Sequence, residues 1–342
     1  MAQRIVLTGA SGFIAKHIAL HLLRAGYRVH GTVRSMERGE QVREALRPHL
    51  DEPALADSHL SFAELDLTRD DGWAEAFEGA DALVHTASPF PMAQPDNEDE
   101  VIRPAVDGTL RALKAAKAAG ITRVVLTSSN VAVYENDAPA DGKAFTEADW
   151  TDVDNAKISP YSKSKTLAER AAWDFVAAEA PDMKLTSINP GLVLGPALDG
   201  NYGTSLRIVE RIVSGRDPFV PNFGVPAVDV RDVADMHVAA LSTPEAAGKR
   251  FLAVNGWLSM PDMARILKKA HPDRKIATRR APSFLLRIVA LFDAETRTIV
   301  PNLDEHKTVS NARARQVFGM EFRPLEEAVR ASAESVIAHK GI

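Results

Sequence analysis

Short aliphatic and β-branched runs alternate with longer helical patterns through the first half of this 342-residue chain. The first run, Ile5-Val6-Leu7, precedes a predicted helix over 12–25, in which Ile14, Ile18 and Leu22 form an apolar stripe. A second long helix is expected over 103–119, and further strands over 27–33, 60–65, 81–86, 123–127 and 184–188. Strands that alternate with helices in this way indicate an α/β fold whose parallel sheet is covered by helices on both faces.

A glycine-containing loop joins the first predicted strand to the first helix, with the sequence Thr8-Gly9-Ala10-Ser11-Gly12-Phe13-Ile14-Ala15. Glycines at such a turn let the backbone approach a pyrophosphate, which binds at the positive N-terminal end of the helix. A tight turn without a ligand is the simpler interpretation. The loop opens the first strand–helix unit, however, and this position favours dinucleotide binding. We therefore predict a Rossmann-type, doubly wound parallel sheet. Ala15 takes the third small position, where close helix–strand packing tolerates alanine.

The end of the second predicted strand indicates which dinucleotide binds. A site that prefers NAD usually places an acid there, to accept hydrogen bonds from the ribose hydroxyls. This chain has Val33 at that point, followed by Arg34 and Ser35. Arg34 can pair with a 2′-phosphate and Ser35 can add a hydrogen bond, unless the arginine simply faces solvent. The missing acid and the added base both favour NADP(H) as the cofactor.

Tyr161 and Lys165 stand four residues apart at the start of another predicted helix, which Ser159 can cap and Pro160 can begin. Residues at this spacing project from one helix face, so the phenol and the ammonium can converge. We expect the ammonium to lower the pKa of Tyr161 from about 10 toward neutrality. Such a tyrosine can exchange a proton with a carbonyl or an alcohol. The pair alone is weak evidence, because many solvated helices carry tyrosine and lysine at this spacing.

Composition excludes several other classes of protein. The 46 acidic and 41 basic residues give a net charge of −5 without long runs of either sign, which argues against a nucleic-acid or membrane surface. The N-terminal residues run directly into the first apolar strand without a signal-peptide pattern, so we expect a cytoplasmic protein. Cysteine is absent, which excludes disulfides, thiolate nucleophiles and cysteine-bound metals. No metal site is predicted, since His17 and His21 lack the glutamate that a zinc protease helix would add.

The pattern changes after about residue 190. Proline and glycine cluster between Pro190 and Pro226, and helices over 230–241 and 260–270 and a strand over 250–254 follow. We expect residues 1–190 to form the dinucleotide-binding domain, with 227–245 packing back onto it. Residues 191–342 should form mainly a smaller C-terminal α+β lobe that binds the substrate, and the strand over 250–254 is assigned to this lobe.

An ordered series of motifs runs through the chain from Thr8 to about Asp232. Besides the glycine loop and the lysine-tyrosine helix, it includes Gly31-Thr32-Val33-Arg34, Asp66-Leu67, His85-Thr86-Ala87-Ser88-Pro89, Pro104-Ala105-Val106-Asp107-Gly108-Thr109 and Thr127-Ser128-Ser129. Together these motifs resemble the extended short-chain dehydrogenase/reductase superfamily, also called the NAD-dependent epimerase/dehydratase superfamily. Within it, the chain is most similar to the dihydroflavonol 4-reductase group of carbonyl and aldehyde reductases.

The resemblance implies a role for each member of a catalytic group. Tyr161 would be the general acid in carbonyl reduction, while Lys165 would lower its pKa and hold the nicotinamide ribose. Ser129, at the end of the fifth strand, would stabilise the charge that develops on the substrate oxygen. Ser128 is the competing candidate, and family alignment favours Ser129.

The resemblance also implies a set of cofactor contacts along the carboxyl ends of the strands. These are Thr8, Gly9, Ser11, Gly12, Phe13, Ile14, Arg34, Ser35, Asp66, Leu67, Thr86, Ala87, Ser88, Thr127, Tyr161, Lys165, Pro190, Gly191, Leu192 and Val193. Asp66 and Leu67 would meet the adenine, and Pro190 to Val193 would pass beside the nicotinamide. Each position could instead serve only as a strand-end turn.

The predicted function is NADP(H)-dependent, reversible reduction of a bulky or aromatic aldehyde or ketone. The partner is thus a small molecule, with no nucleic acid or membrane, and the protein a monomer or homodimer. Aromatic and neighbouring residues in the irregular segments are candidate substrate contacts: Phe90, Asn130, Val131, Tyr134, Tyr202 and Phe223.

Two alternative functions remain open. A nucleotide-sugar epimerase or dehydratase would keep a bound NAD, and dehydratases commonly carry an Asp-Glu pair where Asn130-Val131 follows Ser129. A non-catalytic dinucleotide sensor usually loses the tyrosine or the lysine, both of which are present here. The cysteine-containing motif of cinnamoyl-CoA reductases is missing, so a CoA thioester substrate is not expected.

Overall fold

The computed structural model describes residues 2–88, 97–139, 142–292 and 299–341. Its main sheet has seven strands in the spatial order β3-β2-β1-β4-β5-β6-β9, all parallel to their neighbours. The strands are β1 (Arg4–Thr8), β2 (Arg28–Val33), β3 (Leu60–Glu64), β4 (Ala82–His85), β5 (Arg123–Thr127), β6 (Lys184–Pro190) and β9 (Lys249–Ala253). The predicted doubly wound parallel sheet is therefore confirmed.

Helices cover both faces of this sheet. The helices of the described residues are α1 (Phe13–Arg24), α2 (Met36–Leu46), α3 (Leu55–Ser58), α4 (Trp73–Phe77), α5 (Asp99–Ala118), α6 (Val131–Tyr134), α7 (Pro160–Glu179), α8 (Gly203–Val213), α9 (Val230–Ser242), α10 (Met260–Ala270), α11 (Ser283–Val289), α12 (Ala312–Phe318) and α13 (Leu325–Lys340). Helices α1 and α9 pack together on one face, and α5 and α7 pack together on the other. No helix within the described ranges is long and apolar enough to cross a membrane.

A second sheet lies in the C-terminal half of the chain. It contains β7 (Leu192–Leu194), β8 (Gly224–Asp229) and β10 (Trp257–Ser259), with β8 in the centre. Strands β7 and β8 run parallel, whereas β10 runs antiparallel to β8. This small sheet and helices α8, α10 and α13 form a lobe beside the carboxyl end of β6.

One strand lies in a different sheet from the one we expected. The run near 250–254 was assigned to the small lobe, but β9 pairs with β6 and completes the main sheet, in register from Thr186–Lys249 to Pro190–Ala253. Its residues Phe251 and Leu252 are fully buried, as a strand covered on both faces requires. The assignment was wrong because a short apolar run does not reveal which sheet it joins.

The reversal of strand order places a crevice between β1 and β4. The chain leaves β1 toward β2 and β3, then crosses back to add β4 on the other side of β1. In open parallel sheets, ligands bind outside the carboxyl ends of the strands at this reversal. Thr8 and His85 end these two strands and so mark the expected dinucleotide site.

Candidate active site

The glycine loop after β1 lies tightly against the end of β4. Gly9 has a φ of +67°, and a Cβ atom there would lie 2.9 Å from the Cα atom of Ala87. The loop is closed by a hydrogen bond from the Gly12 amide to the Gly9 carbonyl, at 2.9 Å. Only a residue without a side chain fits at Gly9, so the loop can lie in close contact with the backbone at the end of β4.

Thr8 fixes this loop to the next strand. Its hydroxyl lies 2.7 Å from Nδ1 of His85 and accepts hydrogen bonds from the amides of Thr86 and Ala87, each at 3.2 Å. The Thr86 hydroxyl in turn donates to the Thr8 carbonyl at 2.6 Å. Hydrogen bonds therefore join three of the predicted cofactor contacts, Thr8, Thr86 and Ala87, at the point where the strand order reverses.

The N-terminus of α1 is free to bind an anion. Gly12 occupies the N-cap position and is exposed, and no side chain caps the helix. The ring of Phe13 is buried and packs edge-on against His17, with 5.7 Å between ring centroids. Phe13 therefore anchors the helix, and its backbone rather than its ring can face a phosphate. Uncapped amides at a helix N-terminus, together with the helix dipole, suit the pyrophosphate of a dinucleotide.

Arg34 lies exposed just beyond β2, beside Asp66. The Asp66 carboxylate accepts hydrogen bonds from the amide and the hydroxyl of Thr68, each at 2.8 Å. These bonds lower the pKa of Asp66, and the Arg34 charge lowers it further. Arg34 and Asp66 therefore lie close together just beyond the carboxyl ends of β2 and β3.

A second arginine, which was not predicted from the sequence, lies near Arg34 at the start of α2. Arg38 is exposed in the first turn of α2. Burial lowers the pKa of Lys16, Asp199 opposes this, and the nearby Arg38 charge lowers the pKa further. Ser35 is the N-cap residue of α2, and its side chain caps no amide, so its hydroxyl remains available. The occurrence of Arg38 four residues after Arg34, just past the end of the second strand, was the signal that could have revealed this second basic residue.

Ser159 and Pro160 begin α7 as predicted. The Ser159 hydroxyl accepts a hydrogen bond from the amide of Ser162 at 3.1 Å, and Pro160 is the first residue of the helix. Tyr161 and Lys165 therefore project from its first two turns, with the ammonium 5.9 Å from the centroid of the phenol ring. The phenol also forms a hydrogen bond with the hydroxyl of Ser129, which follows β5.

The expectation of a lowered tyrosine pKa is wrong for the isolated protein. Burial raises the pKa of Tyr161 to about 12, and the Ser129 hydrogen bond opposes this only in part. Burial also lowers the pKa of Lys165 to about 8, while the charge of Glu169 counteracts it. Both side chains keep some surface open to the cleft, but their polar groups lie deep among protein atoms. Spacing on the helix could not reveal this loss of solvation.

The two neighbouring serines have different partners. The Ser128 hydroxyl donates to the buried Glu169 carboxylate at 2.6 Å, away from the phenol. The Ser129 hydroxyl is the one that reaches Tyr161, and the amide of Val131 lies 3.4 Å from it. The geometry therefore favours Ser129, as the family alignment did, and gives Ser128 a supporting position.

A small polar cavity adjoins Lys165 below the cleft. Several residues predicted to contact the cofactor line it, together with His85: Ala87, Ser88, Thr127 and Lys165. The Nε2 atom of His85 is buried there and has no hydrogen-bond partner among the described residues. Burial, with the nearby Lys165 charge, lowers the pKa of His85 to about 3, so this ring is neutral. The hydroxyl of Thr127 instead pairs with Nε2 of His237 at 2.7 Å.

The segment after β6 passes directly beside the serines. The carbonyl of Pro190 accepts a hydrogen bond from the Asn130 amide at 2.9 Å, and the Gly191 amide donates to Ala253 at 3.1 Å. A Cβ atom on Gly191 would lie 2.3 Å from the carbonyl oxygen of Pro226, so glycine is required for β7 to leave toward the lobe. Leu192 and Val193 then belong to β7.

The predicted substrate contacts divide into two groups. Asn130 and Val131 directly follow Ser129, and the Nδ2 atom of Asn130 is buried with no partner in the described part of the chain. Tyr134 ends the same short helix, and its ring packs edge-on against Phe145 with 6.5 Å between centroids. Asn130 and Val131 therefore adjoin Ser129, whereas the ring of Tyr134 is buried in a small core cluster with Phe145.

The other three positions give no such support. The ring of Tyr202 is buried in the main core, its hydroxyl donates to Glu210 at 2.9 Å, and Lys340 lies over the ring. Phe223 packs against the same core. These contacts identify Tyr202 as a packing residue, contrary to its prediction as a substrate contact, while Phe223 is only partly buried and stays a prediction. Phe90 lies outside the described residues.

A parallel sheet with an open glycine loop at its strand reversal, and a Tyr-Lys-Ser group beside it, defines a dinucleotide-dependent oxidoreductase of the Rossmann class. The sequence model of the NAD dependent epimerase/dehydratase family matches residues 5–253. The chain belongs to this family, which confirms the resemblance to extended short-chain dehydrogenases and reductases.

Individual relatives cover nearly the whole chain. A ketoreductase of Aspergillus niger is 33% identical over 98% of both proteins. A cinnamoyl-CoA reductase of Medicago truncatula is 33% identical over 97% of this chain and 95% of that protein. Among solved structures, yeast methylglyoxal/isovaleraldehyde reductase complexed with NADPH superposes with a TM-score of 0.81, at 28% identity and 99% coverage of each chain.

Proposed function

We propose that Tyr161, Lys165 and Ser129 reduce an aldehyde or ketone to an alcohol with NADPH as the hydride donor. The enzyme is an NADPH-dependent oxidoreductase, as its reductase relatives indicate. The observation that carries the residue assignment is the hydrogen bond between Ser129 and Tyr161, with Lys165 one turn further along α7. This arrangement directs two hydroxyl donors at the position of one substrate oxygen.

Tyr161 gives up the proton in this scheme. Because its pKa is raised to about 12, the phenol is protonated at neutral pH and can act as an acid. As negative charge grows on the substrate oxygen, the phenol transfers its proton there and the Ser129 hydroxyl donates a hydrogen bond to the same oxygen. The hydroxyls therefore stabilise the charge that develops only in the transition state.

Lys165 supports that transfer electrostatically. Its pKa of about 8 leaves the ammonium largely protonated at pH 7, within reach of the phenolate that forms when the proton leaves. In a poorly solvated site, an ammonium so placed offsets the cost of creating the phenolate charge. The same ammonium can hold a ribose hydroxyl of the cofactor.

The residues around the crevice fit NADPH. The uncapped α1 N-terminus would accept the pyrophosphate, and Arg34 with Arg38 and Ser35 would hold the 2′-phosphate. When bound, the nicotinamide supplies the hydride that reduces the carbonyl carbon. The protein's own part is to hold the carbonyl, orient it and deliver the proton.

The substrate is a small carbonyl compound. The relatives named above act on ketones, methylglyoxal, isovaleraldehyde or a cinnamoyl-CoA thioester, as their names state. We favour aldehydes and ketones with a bulky or aromatic group, because the half-buried Val131 follows Ser129 by two residues and its amide lies 3.4 Å from the Ser129 hydroxyl. The CoA thioester is disfavoured, since the cysteine-containing motif is absent.

A carbonyl panel tests this proposal. Purified protein should oxidise NADPH when given methylglyoxal, isovaleraldehyde or an aromatic ketone, with NADH much less effective. Tyr161→Phe should reduce that turnover by about 10³-fold or more, because the proton donor is lost. Tyr27→Phe is the matched control, since Tyr27 lies at the amino end of β2 and should keep wild-type rates. Wild-type turnover by Tyr161→Phe would contradict the assignment, and activity with cinnamoyl-CoA alone would contradict the substrate class.

A further inference from the structure

Glu169 is a buried carboxylate one turn beyond Lys165 on α7. Its exposed surface is only 1%, which calls for compensating partners. Its two oxygens accept hydrogen bonds at 2.6–2.7 Å from the side chains of Ser128, Ser187, Asn189 and Arg250. These four partners hold the carboxylate in one position. None of them is Tyr161 or Ser129, so any effect of Glu169 on those residues is indirect.

Arg250, on β9, fixes the acid from the far side. Its guanidinium also donates to the carbonyls of Glu147 and Asp149, at 3.1 and 2.7 Å, and stacks 3.6 Å from the ring centroid of Trp150. Arg250 is itself 7% exposed, so the pair forms a buried ion pair whose remaining hydrogen-bonding groups are occupied. The Glu169 carboxylate is therefore held by an arginine that is itself fixed in position.

Two of the partners lead from Glu169 to the catalytic serine. Ser128 is the residue before Ser129, and the Nδ2 atom of Asn189 donates both to Glu169, at 2.6 Å, and to the backbone carbonyl of Ser129, at 3.1 Å. The backbone on both sides of the Ser129 side chain is thus tied to one acid. A shift of the carboxylate would move the hydroxyl that faces Tyr161.

The same acid faces Lys165. Tyr161 and Glu169 lie near the ammonium on its own helix, and His85 faces it from β4, with Thr127 and Ser128 from the end of β5. His85 is neutral and adds no charge beside Lys165. Among the described residues, the carboxylate whose charge raises the pKa of Lys165 is Glu169.

We propose that Glu169, anchored by Arg250, is a positioning residue that aligns Ser129 with Tyr161 and keeps Lys165 charged during carbonyl reduction. This inference rests on the proposed roles of Ser129, Tyr161 and Lys165. Although burial alone would raise the pKa of Glu169, the Arg250 charge and the serine hydroxyls lower it overall, so the acid is ionised at neutral pH. Its charge then opposes the effect of burial on Lys165.

The pH profile of Glu169→Gln tests the electrostatic part. Glutamine keeps the size and can still accept from Ser128, but it removes the charge that favours protonated Lys165. The alkaline limb of the kcat profile should move to lower pH by about one unit, and kcat at pH 7 should fall more than the affinity for NADPH. An alkaline limb at the wild-type pH would overturn the proposal.

A control separates this effect from general destabilisation. Asp232 is another fully buried carboxylate, which pairs with Arg323 on the lobe side of α9. Asp232→Asn should lower the urea midpoint as Glu169→Gln does, because both variants lose a buried carboxylate that pairs with an arginine, but it should leave the alkaline limb in place. An equal shift of the limb in both variants would show a structural effect only, and would also overturn the proposal.

Ser128→Ala tests the alignment even if Glu169→Gln does not fold. It removes one bond between the acid and the serine segment and leaves the buried ion pair intact. We expect kcat to fall by about tenfold with an unchanged dissociation constant for NADPH. A wild-type kcat would contradict the alignment role. Tyr161→Phe separates the proposed catalytic function from the positioning role of Glu169. If Tyr161→Phe is inactive while Glu169→Gln and Ser128→Ala behave as wild type, only the role of Glu169 is refuted.

Discussion

The Ser129 hydroxyl and the Tyr161 phenol form a hydrogen bond between the end of β5 and the first turn of α7. Neither residue could reach the other without the packing of α7 against the sheet. Because the two hydroxyls meet at one point, a substrate oxygen that binds there can accept from both. This relationship makes the separate contribution of each hydroxyl measurable.

Ser129→Ala should lower kcat by about 10²-fold, because one of the two donors to the developing oxyanion is lost. The dissociation constant for NADPH should stay the same, since the Ser129 side chain is assigned no cofactor contact. Steady-state kinetics and a fluorescence titration with NADPH measure the two quantities. A kcat within twofold of wild type would show that Ser129 has no catalytic role.

Arg34→Ala should weaken NADPH binding by about 10- to 100-fold, the loss expected when a charge-assisted hydrogen bond to a phosphate is removed. NADH lacks the 2′-phosphate, so its affinity should change little. Arg28→Ala is the matched control, because Arg28 is exposed at the opposite end of β2. Equal losses for the two cofactors in Arg34→Ala would remove the argument for 2′-phosphate recognition.

Acid should destabilise the protein through its buried histidines. Burial lowers the pKa of His85 to about 3, and that of His17 and His237 to about 4, from 6.5 in the unfolded chain. The unfolded state then takes up these protons first, so the stability present above pH 6.5 is lost as the pH falls toward 4. Each fully neutral histidine should cost about 2 kcal/mol between neutral pH and pH 5.

Urea unfolding at pH 7 and pH 5 measures this loss. His237→Gln, which cannot take up a proton, should reduce the difference between the two pH values, even if the variant is less stable at pH 7. An unchanged difference would mean that His237 is not held neutral in the folded protein.

Gly9→Ala should destabilise the protein more than Gly26→Ala does. Both glycines have positive φ, at +67° and +82°, so alanine strains the backbone at either site by about 1 kcal/mol. At Gly9 the added Cβ also meets the backbone of Ala87 at 2.9 Å, whereas nothing lies within 4 Å at Gly26. Gly9→Ala should therefore also weaken NADPH binding. Equal unfolding free energies for the two variants would contradict the close contact of the loop with β4.

The sheet could be predicted from the sequence because its signals are local. Strand β5 and helix α10 lie where the runs of apolar residues placed them, and other strand ends differ by one or two residues. Helix α5 begins at Asp99, earlier than expected, and Pro104 lies within it. The acidic residues Asp99 and Glu100 favour its N-terminus, which outweighs the usual tendency of proline to begin a helix.

The site could be predicted only where chemistry follows local spacing. The glycine loop, Arg34 and the Tyr161–Lys165 pair were all recognisable. By contrast, the sheet that β9 joins and the burial that raises the pKa of Tyr161 depend on contacts between distant segments. Glu169 follows Lys165 by one turn on the same helix, but its role could be inferred only from Arg250 and Asn189, which lie far from it in sequence.

A single-turnover experiment tests the central claim most directly. Enzyme saturated with NADPH is mixed with a carbonyl substrate that the panel has identified, and the loss of NADPH absorbance is followed in wild type and Tyr161→Phe. The account predicts that the NADPH-saturated variant oxidises the cofactor about 10³-fold more slowly than wild type, because no acid protonates the oxygen. Hydride transfer at the wild-type rate in Tyr161→Phe would contradict it.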